Sequence, residues 1–291
     1  MPEWVDLLKH LPQQAEELAS YITADKDLAD YLTGEYRKLP EELRRGLERN
    51  LATRKGTRFF DLLQKNNNPT VRGWALLLAG FLPAELQIPR LFNGLGDKSE
   101  ENKLVAACKL GKLQSKEVVE LLIDGLVTGR WLPARIAQAL SAMDASALPQ
   151  LIKLTTNSDE NIRIYAIEIL ASFVAPEVGP VIMQLLSDPA AKVRKKAAEV
   201  VPAFADLICP EQIGQILRSE MDMAVRLQLV RAIGQVNLPG ITAILQDEAN
   251  GDNQKIARAA RIALESNNPD GRVANNVADS SAVVFKDCSK F

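Results

Sequence analysis

One spacing constrains this chain more than any other feature. Aligned to Val193 in the stretch SDPAAKVRKKAAEVVP (187–202), the sequence returns to an equivalent position at Val71, Asn102, Pro133, Ile162, Val193, Val225 and Ile256. The steps are 31, 31, 29, 31, 32 and 31 residues. A fixed period of that length belongs to a stacked repeat architecture, in which each unit packs only on its neighbours. A chain of 291 residues then needs no single large core.

Each period reads as a first helix, a polar turn and a second helix. First helices are expected at 58–65, 84–95, 116–128, 147–155, 177–186, 211–218 and 239–246. The turns NNNP (66–69), GDKS (96–99), NSDE (157–160), SDP (187–189) and NGDN (250–253) supply Asp, Asn, Ser and Gly, which cap a helix and reverse the chain. No segment alternates apolar and polar residues as a half-buried strand does, so the fold class is all-α. Counting along the second helix from the valine-like position, +4 holds Ala75, Ala106, Ala137, Ala166, Ala197, Leu229 and Ala260. A column of alanines means close approach of two helices, and packing accounts for it without any function. Aromatics at 5% against 47% hydrophobic residues suit the same tight packing.

The ends depart from the period. Residues 1–55 read as three helices, with Trp4, Leu7, Leu8 and Leu11 on one face, then Leu28, Tyr31, Leu32 and Tyr36, then Leu43, Leu47 and Leu51 after Pro40. They suit a helical cap over the first repeat, or else a separate partner-binding module. The repeats span 56–266. A polar tail, 267–291, follows, in which Val283, Val284 and Phe285 form an apolar knot able to dock.

The pattern Asp/Asn-Pro-x-Val-Arg-x-x-Ala, present as Asn68-Pro69-Thr70-Val71-Arg72 with Ala75 and again from Asp188 to Ala197, resembles HEAT repeats. The short period is most similar to the subgroup first described in phycobilisome lyases. The resemblance covers about Gly56 to Ser266. It implies a right-handed α-solenoid of about seven two-helix repeats whose second helices line a concave groove. It implies nothing specific about function, because such arrays serve unrelated roles. Asn102 in place of the valine, and Pro133-Ala134 in place of Val-Arg, depart from the pattern.

Two sets of residues stand out. At +1 lie Arg72, Lys103, Arg163, Arg194 and Arg226, about 100° round the helix from the valine and so at the edge of the core. The resemblance implies that these are a structural ladder bound to turn aspartates, for which Asp159 and Asp188 are placed. At +2, +6 and +9 lies the face expected to meet solvent. It reads Gly73, Leu77, Gly80, Leu104, Cys108 and Gly111 early in the chain. Later it reads Arg135, Glu168, Lys195, Glu199, Arg231, Arg258 and Glu265. A groove graded from apolar to charged is expected, with Leu77, Leu104, Arg135, Glu168, Lys195, Glu199, Arg231 and Arg258 as candidate partner-binding residues. Cover by the N-terminal helices or the tail is the alternative for its apolar end.

Chemistry finds little footing. His10 is the only histidine, and Cys108, Cys209 and Cys288 are too widely spaced for a disulfide framework or a metal site. The His-Glu steps that bind metal in HEAT-like deoxyhypusine hydroxylases are missing, as are a P-loop, a GxGxxG and a nucleophile elbow. No residue is assigned a catalytic role, and no cofactor or metal is expected. A bilin-lyase-like activity remains open on fold alone, with no bilin-binding residues to name. With 35 Lys and Arg against 37 Asp and Glu, no overall basic surplus points to nucleic acid. Trp74, Trp131 and the cluster Lys192, Arg194, Lys195, Lys196 keep open a nucleic-acid reading similar to HEAT-like alkylpurine DNA glycosylases. The longest apolar run, Trp74 to Leu82, is too short to span a bilayer, and the N-terminus does not read as a signal peptide. The expectation is a cytoplasmic, non-enzymatic scaffold that presents its groove to another protein.

Overall fold

The computed structural model describes residues 60–267, apart from 62, 174, 208 and 237–239. The expected cap (1–55), His10 and all of the expected tail except Asn267 lie outside those residues. Every regular element among the described residues is helical, and none of these helices is long and apolar enough to cross a membrane. The chain divides between Met143 and Asp144 into two compact units, taken in turn.

In the first unit α1 (Pro69–Leu78), α3 (Glu100–Lys112) and α5 (Pro133–Ser141) are second helices, and α2 (Ala84–Leu95) and α4 (Lys116–Val127) are first helices. Local chemistry sets each boundary. Asn68 accepts the Thr70 amide at 2.9 Å and Pro69 opens α1, where a missing N–H costs nothing. Glu100 and Glu101 in the first turn of α3, with Lys109 and Lys112 in its last, complement the helix dipole. Gln114 adopts a left-handed φ of 49° after α3, and its side-chain amide donates to the carbonyls of Gly111 (2.8 Å) and Ala142 (3.1 Å). These bonds satisfy chain-end acceptors on α3 and α5 together.

The second helices lie side by side: α1 packs on α3 and α3 on α5, with α2 against α3 and α4 against α5. Ala75, Ala106 and Ala137 are all buried at their contacts. Gly94 lets α2 come closer still, because a Cβ there would stand 2.5 Å from Leu76 Cδ2 and 2.8 Å from Ala106 Cβ. Asn102, the polar residue in a valine position, is 4% exposed and satisfied, donating to the Pro69 carbonyl (2.9 Å) and to Asp97 (3.3 Å). Cys108 is buried.

The second unit repeats the scheme with first helices α6 (Leu148–Leu154), α8 (Val178–Leu185), α10 (Pro210–Ser219) and α12 (Ile241–Ala249). Its second helices are α7 (Glu160–Leu170), α9 (Ala191–Val200), α11 (Met223–Ile233) and α13 (Gln254–Asn267). They form one layer in that order, each packed on the next. Asp159, Asp222 and Asn253 cap α7, α11 and α13 through backbone amides two residues on. Val193, Ala197 and Val201 of the α9 segment are buried with Ala166, Leu229 and Ala260 of its neighbours. Burying each larger apolar side chain contributes about 1.5–3 kcal/mol before the entropy of ordering is subtracted.

Candidate functional site

Three of the +1 cations, Arg72, Arg163 and Arg194, sit where a guanidinium reaches two turns at once. Arg163 donates Nε and Nη2 to the two carboxylate oxygens of Asp188, both at 2.8 Å, and Nη1 to the carbonyls of Asn157 and Ser158 in its own turn. Arg194 repeats this one period on, binding Glu220 at 2.7 and 3.0 Å while Nη1 takes the carbonyls of Asp188 and Pro189. Arg226 binds Glu248 at 3.1 and 2.8 Å. In the first unit Arg72 binds Asp97 at 2.7 and 2.9 Å and the carbonyls of Asn66 and Asn67. The planar fork matches the carboxylate bidentately, which a lysine could not do.

The acids are themselves held. Asp97, Asp188 and Glu220 each accept the backbone amide two residues ahead, from Ser99, Ala190 and Asp222. Burial pushes the Asp97 carboxyl up, but the Arg72, Ser99 and Asn102 hydrogen bonds outweigh it and hold the group below the usual carboxylate range. Glu220 behaves in the same way, burial being outweighed by Arg194 and the Asp222 amide. The hydrogen bonds to Asp97, Asp188 and Glu220 raise the guanidinium pKa values of Arg72, Arg163 and Arg194.

Two residues assigned to the ladder from sequence lie elsewhere. Asp159 takes no arginine; its carboxylate caps α7 through the Asn161 amide at 2.8 Å. Lys103 reaches only Glu100 on its own helix, at 2.6 Å, because an ammonium point charge is satisfied locally. Glu220 and Glu248 were missed as ladder acids. The available signal was distance along the chain, since arginine and acid are separated by 25, 25, 26 and 22 residues.

The face expected to be open is partly closed. Leu104 is 5% exposed, Cys108 is fully buried, Gly111 is buried, and Leu77 is half-buried. This corrects the expected apolar end of a groove. On α3 that stripe faces a neighbouring helix: a Cβ at Gly111 would stand 2.7 Å from the Ala139 carbonyl oxygen, and the Gln138 amide lies 3.8 Å from Cys108 Sγ. Arg135 is half-buried between Gln138 (3.0 Å) and Glu100 (3.5 Å).

In the second unit the same positions are charged and reachable. Lys196 bridges Glu168 (3.1 Å) and Glu199 (2.7 Å), so a single cation offsets one of the two carboxylate charges. Lys195, Arg231 and Arg258 are exposed on α9, α11 and α13 and enter no ion pair among the described residues. The basic run around residue 194 is otherwise consumed, since Lys192 pairs with Glu160 at 2.7 Å and Arg194 with Glu220. Neither tryptophan offers a bare face to a base. Trp74 is 2% exposed, and Trp131 lies 5.0 Å from Phe92 with Arg130 4.8 Å from its ring. No three His, Cys, Asp or Glu residues gather to hold a metal among the described residues.

Residues 148–206 match the family model for HEAT repeats. No curated protein matches the sequence. Among solved structures, human deoxyhypusine hydroxylase in complex with glycerol is similar over 86% of this chain and 99% of its own, at 17% identity and a TM-score of 0.39. The complex of CpcE and CpcF of phycocyanin lyase from Nostoc is similar over 78% of this chain and 91% of the matched one, at 18% identity and a TM-score of 0.32. A chain of the Pds5–Scc1 complex is similar over 91% of this chain and 53% of its own, at 12% identity and a TM-score of 0.45. These likenesses bear on neither activity nor partner.

Proposed function

We propose, from the all-helical fold and the match of residues 148–206 to HEAT repeats, that this chain is a non-enzymatic scaffold binding another protein on its layer of second helices. The observation that supports this reading is the trio Lys195, Arg231 and Arg258, exposed on three successive second helices and outside every ion pair among the described residues. The acids on the same face are Glu168 and Glu199, which share Lys196, and the exposed Glu265. Lys195, Lys196, Arg231 and Arg258 outnumber these three acids by one, and the net positive charge suits an acidic segment of the partner. The apolar end first expected for the groove plays no part, since Leu104 and Cys108 are buried.

The test is the triple variant Lys195→Glu, Arg231→Glu, Arg258→Glu, which changes only exposed side chains and should fold. Chemical cross-linking in the native cell, followed by identification of the peptides joined to α9, α11 and α13, should give one acidic partner that the triple variant loses. Cross-links that survive the charge reversal would sink the proposal. Because Lys196 lessens the repulsion by Glu168 and Glu199, retention on duplex DNA is the second measurement. Salt-sensitive retention that the triple variant abolishes would move the reading to nucleic acid.

A further inference from the structure

The first helices of the first unit carry a second surface, formed by α2, α4 and the turn after α4. A cleft of about 650 Å³ opens there, with Ile88 and Phe92 as its floor and Leu121, 38% exposed, as a wall. Trp131 closes one end. Its ring lies over Gly125, where a Cβ would stand 2.2 Å away, so the glycine is what allows the indole to lie flat on α4. Arg130, 4.8 Å from the ring, fixes the other side.

The exposed stripe of α4 runs Glu117, Glu120, Leu121 and Asp124, spaced as neighbours on one helical face. Glu85 faces the cleft from α2. These four acids are opposed by Lys116, which reaches Glu120 at 3.8 Å, and by Arg130. An apolar floor inside an acidic rim is the arrangement that takes an amphipathic helix by its apolar anchors and its flanking cations.

We propose that this cleft docks an amphipathic helix of another protein, with leucine-sized anchors over Ile88 and Phe92 and Lys or Arg against Glu85 and Glu117. The surface is separate from the second-helix layer and does not depend on what that layer binds. The occupant is specified by charge. A segment with the same apolar pattern but glutamates in place of lysines meets Glu85 and Glu117 in the lining and is repelled.

Two fluorescein-labelled synthetic helices with the same leucine spacing, one carrying Lys and one Glu at the flanks, supply the probes, read by fluorescence anisotropy against the full chain. The Lys peptide should bind at least tenfold more tightly than the Glu peptide. Leu121→Asp should weaken it at least tenfold, and Glu85→Lys with Glu117→Lys should reverse the preference. Equal affinities, or a preference that survives the double reversal, would show that the peptides bind elsewhere and overturn the proposal. A dimer in sedimentation that Leu121→Asp dissolves would assign the cleft to a second copy of the chain, and that too would overturn it. Should Leu121→Asp fail to fold, the double reversal decides alone, since Glu85 and Glu117 are both exposed.

Discussion

The rung between α7 and the turn before α9 offers a direct measurement of what holds neighbouring repeats in register. Asp188→Asn keeps the size of the side chain and removes its charge. In the native rung both carboxylate oxygens accept from Arg163 at 2.8 Å, and one also accepts the Ala190 amide. An asparagine offers one oxygen and turns an N–H donor toward a guanidinium that only donates. Arg163, its side chain 10% exposed, would then keep only the carbonyls of Asn157 and Ser158. Breaking a buried pair costs about 3–5 kcal/mol; water reaches the outer side of this turn, so a loss of about 2–3 kcal/mol is expected. For a chain of this size that corresponds to a fall in Tm of about 4–10 °C. Urea unfolding of the full chain followed by circular dichroism measures it. Hydrogen exchange in α7 and α9 should rise before exchange elsewhere, because repeats couple chiefly to neighbours. Lys192→Met, which breaks an ion pair whose lysine side chain is 73% exposed, is the control and should change nothing measurable. Replacing both partners, Arg163→Met with Asp188→Leu, should recover most of the loss. The reasoning fails if Asp188→Asn costs no more than Lys192→Met, or if the double replacement is worse than the single.

Acid should unfold the chain through the same rungs. Asp97 and Glu220 are held below their unfolded pKa values, so their contribution is present above about pH 4–5 and is lost as pH falls through the folded values. Glu220→Gln should therefore flatten the acid limb of a stability-against-pH curve. Two glycine substitutions should act in opposite directions in thermal melts. Gly111→Ala places a Cβ 2.7 Å from the Ala139 carbonyl oxygen and should cost about 1–3 kcal/mol, whereas Gly214→Ala in α10 meets nothing nearer than 3.5 Å and should gain about 0.5–1 kcal/mol. Leu104→Asp should lower the yield of folded chain, because Leu104 is 5% exposed and a carboxylate there would be desolvated.

Residues that pack by repetition were legible in the sequence. All seven +4 residues are buried, Val71, Ile162, Val193, Val225 and Ile256 are buried in register, and α2 spans the expected 84–95. Repetition averages out the noise that obscures a single helix. The solvent face was less legible for the opposite reason, since it depends on how closely two particular helices approach. Gly111 and Cys108 lie in a seam because α5 brings the Ala139 carbonyl so near, while Lys195 and Arg258 at equivalent stripe positions carry long side chains out to water. The ladder acids were legible only as a spacing: Glu220 does the work of an aspartate from a turn that looks different, and Glu248 does it from the last turn of α12. The cleft beside Trp131 had no periodic signal at all, as it depends on Gly125 and on a ring that no other repeat supplies.

The reach of each rung also sets a grammar for rearranging the gene. No repeat owns both halves of its own clasp, since each ladder arginine is answered by an acid further along the chain, in a following turn or, for Glu248, near the end of α12. Excising residues 188–219 would bring Glu220 to the place of Asp188, 25 residues after Arg163, and the two surviving halves belong to the same kind of clasp. A cut placed between an arginine and its acid, without such a substitute downstream, strands a desolvated cation instead. Loss of a whole period is thus tolerated where the next period also supplies an acid, as it does after Arg163, whereas truncation is directional: an array shortened from its C-terminal side exposes an unanswered arginine, and one shortened from its N-terminal side leaves only a spare carboxylate near water.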